Sequence, residues 1–251
     1  MAGHSKWHNI KHRKAAVDKK RGRLWSKCSR AIIAAARTGG PDPDSNLTLR
    51  YAIDEARYAN MPRDTIERAI KKGAGEIGGA NWEPVRYEGY GPGGVAILID
   101  ALTDNRTRTV GDLRLHLGKF GGNLGSAGCV SYMFEAKGLI IVPGTVGEEQ
   151  MMEAAINAGA DDVGPPEGEG GVWTISTAPA AFQPVKDGLE AAGMKIEEAQ
   201  IAMVPTTRTE VRGDNLKKLL ALIDAVEDLD DVQKVYTNLE VPDDELANLE
   251  G

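Results

Sequence analysis

The stretch VWTISTAPAAFQPVKDGLEAAGMKIEEAQIAMV, residues 172–204, decides the fold class. Its apolar positions predict a strand at 172–176, a helix at 179–192 and a strand at 195–204. A strand, a helix and a second strand in this order form one half of a split βαβ unit.

The residues upstream complete this unit. Leu139–Val142 and a short segment near Asp162 predict two more strands, and Glu148–Ala158 predicts the helix between them. From Leu139 to Ile201 the order is therefore βαββαβ, which is that of a ferredoxin-like fold.

The segments on either side of this unit predict a second ferredoxin-like domain. Residues 95–101, 107–119 and 130–134 predict βαβ before it, and residues 204–211, 216–227 and 232–237 predict βαβ after it. We therefore expect a discontinuous α/β middle domain at 77–135 plus 203–240, a third domain inserted into it at 136–202, and an acidic tail at 241–251.

Residues 1–76 predict a basic helical domain. An apolar stripe at helical spacing runs from Leu24 through Cys28, and the prolines at 41 and 43 end that helix. A second helix fits Leu47–Tyr58, and Pro62 opens a third. The predicted fold class is α+β, with an N-terminal helical domain followed by two ferredoxin-like α/β domains.

Charge is distributed very unevenly along the 251 residues. Residues 1–75 carry 17 Lys and Arg against 7 Asp and Glu, whereas residues 76–251 carry 13 against 30. The first part thus has a net charge of +10 and the second a net charge of −17, which together give −7. Such asymmetry indicates a basic module for a polyanion, joined to an acidic remainder.

The basic segment from Lys6 to Arg30 is the candidate nucleic-acid site. Extending the apolar stripe backwards from Leu24 places cations where apolar side chains would pack, so the segment before Leu24 buries no face well. We expect a mobile arm that becomes ordered on phosphates. The predicted nucleic-acid-binding residues are Lys6, Lys11, His12, Arg13, Lys14, Lys19, Lys20, Arg21, Arg23, Lys27 and Arg30.

Two other motifs carry weaker signals. Gly89–Gly94 matches G-x-G-x-x-G, but it lies between two predicted strands, which favours a tight hairpin over a dinucleotide site. Arg106 and Arg108 follow a capping sequence at the start of a predicted helix, where they could form a secondary phosphate or anion contact. The other interpretation of this loop is a helix cap with exposed arginines.

The sequence shows no motif that indicates catalysis, a metal site or a cofactor. His4, His8 and His12 recur every four residues, but neighbouring cations oppose a divalent ion. Two cysteines form neither a disulfide framework nor a zinc site, and no apolar run approaches the roughly 18 residues of a membrane span. We expect a cytoplasmic protein that is not an enzyme and binds neither a cofactor nor a membrane.

Several motifs together resemble the YebC/PmpR family. They are residues 1–7 and 10–16 in the basic segment, the glycine-rich residues 87–94 and 121–125, and Asp104-Asn105-Arg106 with Arg108-Thr109. The resemblance extends to about residue 240. It implies a three-domain α/β protein described as a probable bacterial transcriptional regulator, with mitochondrial relatives that activate translation of a cytochrome oxidase subunit. It carries over no catalytic residue.

Two functions fit these features. The first is a transcriptional regulator that binds DNA through the basic N-terminal domain. The alternative is a ribosome-associated translation factor that contacts ribosomal RNA and uses its acidic α/β domains as protein-interaction surfaces. Because phosphate contacts carry no information about the type of nucleic acid, both the ribosome and the transcription machinery are candidate partners.

Overall fold

The N-terminal part of the described chain is a set of three helices. The computed structural model describes residues 19–75, 81–166, 170–242 and 244–245, with the backbone alone at 19–21. The helices are α1 (Lys19–Gly39), α2 (Leu47–Tyr58) and α3 (Arg63–Gly73). The predicted helix ends near Pro41, Leu47 and Pro62 are thus confirmed.

The apolar stripe of α1 forms the core of this helical set. Ile32 is fully buried and Cys28 is 8% exposed, and both pack with residues of α2 and α3. Burial raises the pKa of Cys28 to about 11, as expected for an unreactive core thiol. Leu24, in contrast, is 47% exposed and lies outside the core, although the sequence pattern placed it on the stripe.

The helix also begins earlier than the sequence predicts. We expected residues before Leu24 to belong to a mobile arm, but α1 is helical from Lys19. The first 18 residues, which hold the rest of the predicted arm, lie outside the described residues.

A four-stranded antiparallel sheet follows the helices. Strands β1 (Glu83–Tyr90) and β2 (Ala96–Thr103) form a hairpin in which Glu83 faces Thr103 and Tyr90 faces Ala96. The sheet order is β3 (Asn123–Leu124), β1, β2 and β9 (Val232–Thr237), and helices α4 (Arg106–Lys119) and α7 (Gly213–Glu227) contact each other. Two short strands, β8 (Thr209–Glu210) and β10 (Leu239–Glu240), form a separate parallel pair.

Two strands predicted for the middle domain are wrong. Residues 131–133 form a 3₁₀ turn, because the buried Glu88 carboxylate accepts the N–H groups of Val130 and Ser131 that a strand would need for pairing. The predicted strand at 204–211 is reduced to β8, which pairs with β10 and is not part of the four-stranded sheet.

The second four-stranded sheet has the predicted βαββαβ order. It contains β4 (Phe134–Pro143), α5 (Glu148–Ala158), β5 (Asp162–Gly164), β6 (Val172–Thr177), α6 (Phe182–Ala191) and β7 (Glu198–Pro205). The strands lie in the order β5, β6, β4, β7, and β6 is antiparallel to both β4 and β5.

The α+β fold class is confirmed, with helices first and antiparallel sheets after them. Within the described residues, Ala136–Val204 form one compact unit, and the helices with the first sheet form another. The division of the second unit into a helical and a middle domain stays a prediction. Among the described helices, none combines the length and the apolar character that crossing a membrane requires.

Candidate nucleic-acid interface

One face of α1 carries three of the predicted nucleic-acid contacts. Arg23, Lys27 and Arg30 follow a spacing of four and three residues, so they align along the helix over roughly 10 Å at 1.5 Å per residue. We call these three residues the basic face of α1. Trp25 and Cys28 turn to the other side, where Trp25 Nε1 donates to the Ala59 carbonyl oxygen at 2.9 Å.

The basic face lies against the acidic turn, which we define as residues 227–231 at the carboxyl end of α7. Arg23 Nη1 lies 2.7 Å from Asp228 Oδ1, and Lys27 Nζ donates to the Glu227 carbonyl oxygen at 2.5 Å. Arg30 donates to the Asp230 carbonyl oxygen. The hydrogen bond to Asp228 raises the pKa of Arg23. All three cations are thus engaged by five consecutive residues.

Arg30 also lies in a polar and aromatic setting. Its guanidinium carbon is 5.7 Å from the centre of a Trp82 ring, within the range of a cation–π contact. A cleft of about 590 Å³ opens beside it and is lined by Trp82, two arginines and five aspartates. Its charged side chains have a net charge of −3 when ionised, so a phosphate that reached Arg30 would have to compete with these carboxylates.

Asp231 is the buried centre of this region. It is 7% exposed, and its Oδ2 accepts hydrogen bonds from Arg108 at 2.7 Å, Thr109 at 2.8 Å and Thr103 at 3.3 Å. Its backbone carbonyl accepts from Leu102 N at 2.8 Å. Asp231 is not among the functional or structural residues that the sequence predicts. The one local signal is an Asp-Asp pair, Asp230-Asp231, placed between a predicted helix and a predicted strand.

The two arginines predicted as a secondary anion contact are engaged by carboxylates. Arg106 makes a two-pronged contact with Glu83 at 2.5 and 2.8 Å, and Arg108 bridges Asp104 and Asp231, each at 2.7 Å. Hydrogen bonds to Asp231 and Asp104 raise the pKa of Arg108.

The helix cap predicted beside these arginines is confirmed. Asn105 begins α4, and its side-chain oxygen accepts from Arg108 N at 3.1 Å. The anion contact itself stays a prediction, and an anion there would compete with carboxylates that already hold both arginines.

The glycine-rich segments meet at the opposite end of α4. The predicted hairpin is confirmed: Gly93 and Gly94 both have φ of +76°, which glycine adopts without strain. A Cβ on Gly122 would lie 2.5 Å from the Tyr90 carbonyl oxygen, so only glycine permits this approach. Strand β3 pairs with Gly89 and Tyr90, which brings the two glycine-rich segments together.

Glu88 fixes the loop that follows these glycines. Its carboxylate accepts the N–H groups of Gly128, Val130 and Ser131, each at 2.8 Å. Burial acts to raise the pKa of Glu88, but the three N–H donors outweigh it and hold that pKa below its ordinary value. Tyr132 follows this anchored loop and is 71% exposed.

The remaining predicted contacts lie at or before the start of α1. Lys19, Lys20 and Arg21 belong to its first turn, where the backbone is described. Lys6, Lys11, His12, Arg13 and Lys14 lie outside the described residues, as do His4 and His8. In the part of the chain that the structure describes, no group of three His, Cys, Asp or Glu side chains could hold a metal ion.

Comparison with known protein families identifies the chain. Residues 5–76 match the family model described as the TACO1/YebC protein N-terminal domain, and residues 82–239 match that of the TACO1/YebC second and third domain. The chain belongs to the TACO1/YebC family.

Two relatives that are similar to the chain over its whole length have the same name. A protein of Geobacter sulfurreducens is 49% identical over 249 residues, covering 99% of this chain and 100% of the relative. A protein of Acidithiobacillus ferrooxidans is 51% identical over 251 residues, covering 100% of this chain and 99% of the relative. Both are named "Probable transcriptional regulatory protein".

A solved structure of the same fold comes from Aquifex aeolicus. The crystal structure of a conserved hypothetical protein aligns with a TM-score of 0.83 and 51% identity, covering 92% of this chain and 94% of that one. The α+β architecture described above is therefore shared with an experimentally solved protein.

Proposed function

We propose that this protein is a regulator of gene expression that binds nucleic acid through its basic N-terminal segment. The observation that carries the proposal is the segregation of charge: residues 1–30 contain ten Lys and Arg and a single acidic residue. Cations gathered in this way neutralise phosphates and release counterions, which supplies most of the affinity of nonspecific nucleic-acid binding. The names of the relatives support a role in transcription.

The arrangement of α1 supports the same proposal. Eight of the predicted contacts, from Lys6 to Arg21, precede or begin this helix, and the basic face continues them along its side. A basic segment that leads into a helix with aligned cations can follow a phosphate backbone without reading its bases. The proposed activity is therefore binding, in the cytoplasm, without catalysis or a cofactor.

Salt dependence of binding tests the proposal. If about six of these cations neutralise phosphates of duplex DNA, the logarithm of the association constant should fall with log salt at a slope near −5. We expect Arg13→Ala with Lys14→Ala to make the slope less steep by about 1.5 to 2, because two phosphate contacts are lost.

A matched variant controls for the change in net charge. Lys217→Ala with Lys218→Ala removes the same charge from the exposed side of α7 and should leave the slope unchanged. An unchanged slope in the Arg13 and Lys14 variant, with an intact fold by circular dichroism, would contradict the proposed binding segment.

The second candidate is a translation factor that contacts ribosomal RNA. The observation that favours it is the net charge of −17 on residues 76–251, which suits docking to basic proteins such as those of the ribosome. Gradient fractionation of a lysate distinguishes the two functions. Co-migration with ribosomes that is lost in high salt would favour translation, and co-migration with chromosomal DNA would favour transcription.

A further inference from the structure

We propose that the acidic turn is an internal competitor of nucleic acid for the basic face of α1. This inference rests on the proposed function and concerns the regulation of the same site. Arg23, Lys27 and Arg30 are the cations of α1 that a phosphate backbone would contact, and in this structure each is engaged by residues 227–231.

The acidic turn offers these cations the same kind of acceptor that a phosphate backbone offers. Asp228 contributes a carboxylate at 2.7 Å from Arg23, and Asp230 Oδ2 lies 3.8 Å from Arg30. The carbonyl oxygens of Glu227 and Asp230 accept from Lys27 and Arg30. These carbonyls lie at or just beyond the carboxyl end of α7, where the helix dipole adds negative potential.

The contact is weak at Asp228 and Asp230, the two outer carboxylates of the turn, whereas Arg30 also lies 3.4 Å from the buried Asp231 Oδ1. The side chains of Arg23 and Asp228 are 44% and 59% exposed, and that of Asp230 is 79% exposed. Ion pairs at such exposure contribute little and are screened by salt. A polyanion with many phosphates can therefore displace them, since its total field exceeds that of two carboxylates.

The turn is nevertheless held firmly in place. Its last residue, Asp231, is buried and bonded to Thr103, Arg108 and Thr109. A separate ion pair between Glu55 of α2 and Lys234 of β9 joins the helices to the sheet. Displacement of the exposed carboxylates therefore leaves both the turn and the attachment of the helices intact.

Removing the two exposed carboxylates tests the inference. Asp228→Asn with Asp230→Asn keeps the shape of the turn and removes its competing charge. The full-length variant should bind a short labelled DNA duplex about fivefold more tightly than the natural chain at low salt, which corresponds to loss of two weak exposed ion pairs. A single-stranded RNA of equal length, used in parallel, should show the same gain.

A matched variant separates competition from a general charge effect. Asp64→Asn with Glu67→Gln removes the same charge from α3, where these residues pair with Arg68 and Arg63. We expect its affinity to change by less than about twofold, as for exposed surface pairs away from the site. An equal gain in both variants would overturn the inference, because it would show that net charge alone sets the affinity.

A last set of variants tests whether the gain in affinity depends on the basic face. Combined with Arg23→Gln and Arg30→Gln, the Asp228 and Asp230 substitutions should give no gain over the Arg23 and Arg30 variant alone, because Asp228 faces Arg23 and Asp230 faces Arg30. A gain that persists would overturn the inference, as would the absence of any gain while the natural chain binds. If no chain binds DNA or RNA even at low salt, the proposed function itself fails and the inference falls with it.

Discussion

At the scale of single residues, two buried carboxylates determine how loops attach to the first sheet. Glu88 accepts three backbone N–H groups of the loop that precedes β4, and Asp231, just before β9, accepts from two threonines and two arginines. Burying a carboxylate costs free energy unless hydrogen bonds or ion pairs compensate for the lost water, and both Glu88 and Asp231 have such partners. Each therefore specifies one loop conformation.

Replacing Glu88 with glutamine should destabilise the protein by about 2 kcal/mol at neutral pH, since hydrogen bonds to a charged acceptor are lost. The pKa of Glu88 is depressed in the folded state. The stability that its ionised carboxylate contributes is therefore fully present above about pH 4.5 and is lost as pH falls through the folded-state pKa. The difference between Glu88→Gln and the natural chain should therefore narrow in acid.

Chemical denaturation at several pH values measures this difference. Glu83→Gln is the control, because Glu83 is an exposed partner of Arg106 and its loss should change stability far less. A constant difference from pH 7 down to acid would show that the Glu88 carboxylate is not what holds the loop.

At the scale of helices and strands, glycines mark where elements approach closely. A Cβ on Gly73 would lie 2.6 Å from both Ala36 Cβ and the Ile33 carbonyl oxygen, so α3 crosses α1 at this point. Gly111, in contrast, lies on the exposed side of α4 with nothing within 4 Å of the position its Cβ would occupy.

These two glycines should therefore respond in opposite ways to alanine. Gly73→Ala should destabilise the protein by about 1 to 3 kcal/mol through overpacking of α1 against α3. Gly111→Ala should stabilise it by about 0.5 to 1 kcal/mol, because alanine loses less backbone entropy inside a helix. Urea unfolding of both variants gives the comparison, and destabilisation by both would contradict the packing described here.

Elements with strong periodicity and clear ends could be predicted from the sequence. The helices at 47–58 and 148–158 were predicted at their observed bounds, and so was the βαββαβ order of the inserted unit. The strand at 130–134 was wrong because alternation of Val130, Tyr132 and Phe134 is a local pattern, whereas Glu88 acts on it from 42 residues away. Long-range hydrogen bonds of this kind leave no local signal.

The same limit applies to the candidate site. The sequence identified the cations of α1, since clustering of like charges is visible in the chain itself. The acidic turn that engages them lies 200 residues later, as the contact between Lys27 and Glu227 illustrates, and no sequence period connects the two.

At the scale of the whole molecule, the chain leaves and re-enters the larger unit at neighbouring points. Thr206 donates to the Met133 carbonyl oxygen both from its backbone N–H, at 2.8 Å, and from its hydroxyl, at 3.0 Å. Residues 136–204 between them form a compact unit with its own buried side chains, among them Ile140, Met151, Ile175 and Leu189.

This geometry predicts that the two units fold independently. Residues 136–204 expressed alone should unfold cooperatively, because their core is contributed from within the segment. In the complementary variant, a short glycine and serine linker from Glu135 to Pro205 should close without strain, since the Met133–Thr206 hydrogen bonds already hold the two ends together. That variant should keep a cooperative melting transition and, if the basic segment supplies the phosphate contacts, the full salt slope of nucleic-acid binding. If the deletion variant folds but its binding no longer shows this salt dependence, essential nucleic-acid contacts lie in residues 136–204. If the deletion variant does not fold, the larger unit depends on residues 136–204 for its stability.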